Sequence, residues 1–226
     1  MDTHIISNQE KDIKLDIDFQ INEQIKTYLN KHYSYEIISE EDQNQVSFTA
    51  LKKRYWVVDP LDGSLNYSRS IPLSCISVAL WDANGPEFGC IYNFNSDELY
   101  KTMNGECLIN NNKVITSKIP TPKQGILCAG FPSWRNYDEE SLKNFLSRIQ
   151  SWKKIRAIGS AALSLAWVAR GWTDAYIEED IRIWDVAAGL ALVKAADGDI
   201  YLKENDRPNY VTAIATNGKI SISELV

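Results

Sequence analysis

Trp-Val-Val-Asp-Pro-Leu-Asp-Gly-Ser-Leu-Asn-Tyr, residues 56–67, constrains this chain more than any other stretch. The aromatic and β-branched run Tyr55 to Val58 reads as a buried strand. Its last step delivers Asp59, a Pro-Leu turn follows, and Asp62, Gly63 and Ser64 stand at the start of a helix. Taken alone, Asp-Pro-x-Asp-Gly is equally a turn in which Asp62 caps the helix. Chemically, two carboxylates on a stiff turn suit hard divalent cations. The exposed N–H groups of Gly63 and Ser64 suit phosphate oxygens.

Around that turn the pattern predicts a layered α/β chain in two halves, residues 1–118 and 119–226, within one compact unit. Ile17, Ile21, Ile25 and Leu29 recur every fourth residue and predict one helix. After the acidic turn comes a β-meander over Cys75–Trp81, Glu87–Phe94, Glu98–Met103 and Glu106–Ile109, with Asn84-Gly85 and Asn104-Gly105 as hairpin turns. Thr116–Gln124, carrying Pro120 and Pro122, is the expected connection. Beyond it, strands are expected at Gly125–Ala129, Ile155–Ile158, Asp174–Glu178, Asp199–Leu202 and Val211–Ala215. Helices are expected at Asp138–Trp152, Ser160–Ala169 and Trp184–Ala196.

Composition narrows the function. A net charge of -6 argues against a nucleic-acid surface, which needs a basic stripe. No apolar run approaches a bilayer span, and the polar start is unlike a signal peptide, so a cytoplasmic protein is expected. Cys75, Cys90, Cys107 and Cys128 are irregularly spaced and only His4 and His32 are available, which argues for free thiols over a zinc site. An acidic protein that binds an anionic phosphate needs metal ions to reverse the local field.

Three further acidic positions have an ordinary explanation when taken singly. Glu40-Glu41 reads as a solvated loop, while Asp185 and Asp18 read as acids favoured at helix N-termini. In their order and spacing, however, the motifs resemble the inositol monophosphatase family of Mg²⁺-dependent, lithium-sensitive phosphatases. Asp59 to Tyr67 matches its Asp-Pro-x-Asp-Gly-Thr/Ser-x-Asn-Phe/Tyr element, Glu40-Glu41 its Glu-Glu element, and Trp184 to Gly189 its Trp-Asp-x-Ala-Ala-Gly element. Arg156 to Ala162 and Asp174 to Glu178 also look like the family's second half, so the likeness covers about residues 12–220.

The resemblance implies an αβαβα sandwich of the sugar-phosphatase type with two to three Mg²⁺ per site. Glu40, Asp59 and the Leu61 carbonyl would hold the first ion, and Asp59, Asp62 and Asp185 the second. A weaker third would rest on Glu40 and waters. Gly63 and Ser64 would meet the phosphate, and the Ser64 hydroxyl with Asp18 would activate the attacking water. Glu178 matches a position that contacts substrate hydroxyls, with Gly159, Ser160 and Ala161 as the wall beside it. Family members usually carry a longer helix before the Asp18 position, so either weak third-metal binding or a first helix reduced to a stub is expected here. A homodimer is expected on the same basis.

The residues agree with metal-assisted hydrolysis, since both histidines lie outside every motif and no nucleophile–His pair is available. Glu178 favours an inositol or other small sugar monophosphate, because a carboxylate repels a second phosphate. Arg182 offsets that repulsion if it points inward. The alternatives are a 3'(2'),5'-bisphosphate nucleotidase, a histidinol or fructose bisphosphate phosphatase, and a non-catalytic metal-binding regulatory protein.

Overall fold

The computed structural model describes residues 5–9, 12–42, 47, 53–131 and 137–225. An antiparallel ladder of β1 (Ile5–Gln9) and β2 (Asp12–Leu15) precedes helix α1 (Asp16–His32). The sequence does not announce this ladder, because the polar run Ser-Asn-Gln-Glu-Lys-Asp interrupts any apolar alternation. Helix α1 lies where the isoleucine spacing puts it, and it also buries Asp18 and Asn22 beside Leu29.

A seven-stranded sheet follows, ordered from β3 to β9. It comprises β3 (Glu36–Ser39), β4 (Tyr55–Asp62), β5 (Cys75–Asp82), β6 (Gly85–Asn93), β7 (Glu98–Met103), β8 (Glu106–Ile109) and β9 (Asn112–Val114). The five-residue helix α2 (Ser64–Ser68) sits between β4 and β5. Only β3 and β4 pair in parallel; the rest is the expected meander. Asn104 and Gly105 both take positive φ, at 54° and 78°, as a two-residue hairpin requires. Asn110 and Asn111 do the same at 46° and 69° and produce β9, a hairpin that the sequence hides because it contains no glycine.

The second sheet is ordered β11-β10-β12-β14-β13. Along the chain it runs β10 (Ile126–Ala129), α3 (Glu139–Gln150), β11 (Lys154–Arg156), α4 (Ala161–Ala169), β12 (Ala175–Arg182), α5 (Ile183–Ala195), β13 (Asp199–Glu204) and β14 (Tyr210–Thr216). β10 pairs in parallel with β11 and β12, and β14 joins antiparallel between β12 and β13.

Apolarity sets the layering. Every residue of α4 except Trp167 is buried, and so is nearly all of α5. Helices that are hydrophobic all round belong inside, and these two lie between the sheets. Their core includes Tyr55, Val57, Ala79 and Ile91 from the first sheet with Tyr176, Val211 and Ala213 from the second. Gly89 on β6 is needed for this approach, since a Cβ there would lie 2.5 Å from the Ala188 carbonyl of α5. On the far side of the first sheet, Leu29 and Ile25 of α1 pack on Trp56 and Val58. On the far side of the second, Phe145 and Ile149 of α3 cover Leu127, Ala175 and Ile177. The result is helix, sheet, helix pair, sheet, helix, as expected. All four cysteines are free thiols, and no described helix is long and apolar enough to cross a membrane.

Candidate active site

The acidic turn is a bulged strand. β4 does not stop at Val58 but continues to Asp62, with all eight residues buried. Asp59 stands opposite Ser77 and Asp62 opposite Cys75, so β4 uses one residue more than β5 between those pairs. Side chains three apart on a regular strand point to opposite faces; the extra residue brings Asp59 and Asp62 to the same face. Pro60, which has no N–H to pair, is accommodated in the bulge. Both carboxylates therefore enter the layer between the sheets, where Asp185 arrives in the first turn of α5. Ligand oxygens of Asp59, Asp62 and Asp185 lie within 4.8 Å of one another.

The same turn ties β4 to the start of α4. Ser160 Oγ donates to Asp62, as do the N–H groups of Ala161 (3.3 Å) and Ala162 (3.0 Å) at the start of α4. Cys75 Sγ donates to it at 3.7 Å. Gly63, at φ 81°, makes the corner; a Cβ there would press on the Leu73 carbonyl at 2.6 Å. Asn66 Nδ2 donates to the carbonyls of Leu73 (2.8 Å), Ile158 (2.8 Å) and Gly159 (3.2 Å). That clamp draws Ile158 out of the sheet, so β11 ends at Arg156 instead of the expected Ile158.

Glu40 follows β3, and its N–H donates to the Val58 carbonyl at 3.2 Å. Its carboxyl faces that of Asp59. The loop is tied to α1 on both sides: Ser39 Oγ donates to Asn22 Oδ1 at 2.7 Å, and Lys26 pairs with Asp42 at 2.7 Å. Asp18 is buried one turn before Asn22 on the same helix face. Leu61 is buried between the two acids, and its N–H donates to Asp59 Oδ1 at 2.9 Å. Ser64, half-buried, opens α2.

Glu178 lies on β12, close enough to Asp185 to raise its proton affinity. β12 runs past the expected end at Glu178 to Arg182 through a second bulge. The other two acids of Glu178-Glu179-Asp180 are engaged elsewhere. Glu179 pairs with Arg148 at 2.7 Å, and Asp180, at φ 58°, accepts from Asn205 Nδ2 at 2.5 Å. Arg182 stacks 4.0 Å over the Tyr210 ring and 5.3 Å from Trp184.

A model of the inositol monophosphatase family matches residues 2–217. The chain belongs to that family. Its members are phosphoric monoester hydrolases. The chain is 35% identical over 198 residues to "Nus factor SuhB" of Xylella fastidiosa, covering 86% of this chain and 70% of that protein. It is 33% identical to "Inositol-1-monophosphatase" of Synechocystis, covering 73% of this chain and 59% of the relative. The crystal structure of extragenic suppressor protein suhB from Bartonella henselae superposes with a TM-score of 0.80 at 27% identity, covering 96% of this chain and 85% of that one.

In this inositol monophosphatase-family site the charges are crowded. Burial, then the charges of Glu40, Asp62 and Asp185, holds the Asp59 carboxyl well above its ordinary range. Burial, with Glu40, Asp62 and Glu178, does the same to Asp185. Burial lifts Asp62 only to about 6, because Ser160, Ala162, Ala161 and Cys75 donate to it. Burial lifts Glu178 to about 7 against the opposing hydrogen bond from Tyr176. Such a cluster asks for cations, and its all-oxygen donor set fits a hard ion such as Mg²⁺. Three contributors escape a reading of the sequence: Asn66 as the clamp between α2 and the Ile158-Gly159 segment, Cys75 against Asp62, and Tyr176 beside Glu178. Only the Tyr176–Glu178 spacing of two, which places both on one face of a strand, could have signalled the last.

Proposed function

We propose that the protein hydrolyses a small phosphate monoester, an inositol or other sugar monophosphate, with Mg²⁺ as its cofactor. The observation that carries this is the convergence of Asp59, Asp62 and Asp185 within 4.8 Å. Glu40, Asp59 and the Leu61 carbonyl would hold one ion, Asp59, Asp62 and Asp185 a second, and Glu40 a third. When bound, Mg²⁺ neutralises the phosphate, polarises its ester bond and makes water a better acid.

The remaining roles fall to the chain itself. The backbone N–H groups of Gly63 and Ser64 face the phosphate. Ser64 Oγ orients the attacking water, and the Asp18 carboxylate takes its proton. Ser160 and Ala161 act chiefly by holding Asp62 in place, since their donors are committed to it. Gly159, held by Asn66, walls the pocket beside them. Glu178 accepts hydrogen bonds from substrate hydroxyls. Arg182 is stacked on aromatic rings and so does not relieve the repulsion between Glu178 and a second phosphate. That favours a neutral polyol leaving group over a bisphosphate.

A phosphate-release assay across sugar phosphates, nucleotides and bisphosphates, with and without Mg²⁺, tests this reading. The expected result is Mg²⁺-dependent release, fastest with a cyclitol or sugar monophosphate. The name of the Xylella relative favours a second reading, a regulatory protein without turnover. Mg²⁺ binding with no release from any substrate would decide for it.

A further inference from the structure

The surroundings of Glu178 go beyond its own assignment. Tyr176 and Glu178 are two apart on β12 and so share a face. The Tyr176 hydroxyl donates to Glu178 Oε2 at 2.8 Å. Tyr176 is 1% exposed and fixed in the core between the sheets, so the donor is anchored. Just past the end of the neighbouring strand β10, the Gly130 N–H donates to the Ile177 carbonyl at 3.2 Å, which sets Gly130 beside Glu178. A Cβ at Gly130 would overlap Cδ and both oxygens of that carboxyl. The carboxyl thus occupies the space a side chain at Gly130 would fill, with Oε2 bonded to Tyr176, which leaves Oε1 to accept from a ligand.

We propose that Tyr176 and Gly130 are the positioning residues of substrate selection: together they fix Glu178 so that one oxygen reads a hydroxyl of a neutral polyol phosphate. This rests on the role given to Glu178 above. Gly130 provides the space and Tyr176 the orientation. Neither is assigned to the phosphate or to a metal ion, so their effect belongs to recognition and not to bond cleavage. Any side chain at Gly130 would push the carboxyl off its seat. Loss of the Tyr176 hydroxyl would free it to rotate and would leave a buried carboxylate short of a donor.

The test compares an inositol monophosphate with para-nitrophenyl phosphate, whose leaving group carries no ring hydroxyls. Tyr176→Phe should raise KM for the inositol phosphate by about tenfold with a much smaller change in kcat, and the loss in kcat/KM should be several times larger than for the aryl phosphate. Gly130→Ala should give the same selective loss. Tyr176→Phe removes a single oxygen and keeps the ring packed, so it carries the test if Gly130→Ala does not fold. Tyr176→Phe combined with Glu178→Gln should lose no more than Glu178→Gln alone, as expected of a residue that acts through another. Equal losses on both substrates, no loss on either, or additive losses in the double variant would overturn the proposal. Failure of the wild-type protein to release phosphate from any substrate would instead overturn the phosphatase reading, and this one with it.

Discussion

Two strands of this protein carry a bulge at a run of acids, and they use it in opposite ways. In β4 the extra residue gathers Asp59 and Asp62 onto one face and leaves them crowded against Asp185. In β12 the extra residue disperses the acids: Glu179 goes to Arg148, Asp180 to Asn205, and Glu178 alone stays turned inward with a tyrosine for company. The first arrangement is costly without a cation and suits metal binding. The second is satisfied by its own donor and suits recognition of a neutral group. Local backbone geometry, more than residue type, separates the two uses of carboxylate.

The largest expected effect lies at the crowded bulge. Asp59→Asn should lower turnover at least about a hundredfold, because it removes the charge of the acid that we propose would serve both cations. The same change should raise the melting temperature of the metal-free protein by relieving buried repulsion. A metal-free variant that melts no higher than wild type would show that β4 is not strained by its charges. At the other bulge, Glu178→Gln should cost roughly tenfold to a hundredfold in kcat/KM for a polyol phosphate while leaving Mg²⁺ dependence unchanged. A shifted Mg²⁺ optimum would join the two regions that we separate.

The smallest effect is in pH. Asp62, lifted to about 6 from its ordinary 3.8, keeps its proton longer in the folded than in the unfolded chain. Between those values the folded state binds more protons, so metal-free stability should fall as pH rises through that window. Glu178, lifted to about 7, adds the same sign up to neutrality. Mg²⁺ should reverse the trend, and melting curves with chelator or Mg²⁺ across about pH 5 to 8 would show it. Parallel curves would mean that the ions do not compete with these protons.

What the sequence alone makes legible depends on which interactions are local. The largely apolar helices α4 and α5, the Asn104-Gly105 hairpin and the acids of the DPLDGS run are local signals that appear where the pattern puts them, whereas the first hairpin turns one residue early, on Ala83-Asn84, with Gly85 already paired to Asp82. The parallel partnership of β3 with β4 is not local, and Tyr35 to Ser39 is too short to announce a strand alone. The β4 bulge reads in sequence as a turn, because proline signals a break whether or not pairing resumes. Ser160 carries a legible helix-cap signal, Ser before an apolar run, yet nothing in the sequence says that its hydroxyl also serves Asp62, 98 residues earlier. The seat of Glu178 on Gly130 needs two strands side by side and is invisible along one.

Because α4 and α5 are buried almost throughout, their surroundings are complete only when both sheets exist. Asp185 rides at the head of α5, while β13 and β14, which complete the second sheet, are made after it. A ribosome that has already delivered Asp59 and Asp62 has therefore made only part of the acidic cluster. The sheet that covers the third acid is complete only with β14, which ends at Thr216 and lies between β12 and β13. Synthesis order thus separates the acids: a chain that stops short of Asp185 holds Asp59 and Asp62 alone, and the cluster of three belongs to the later fold.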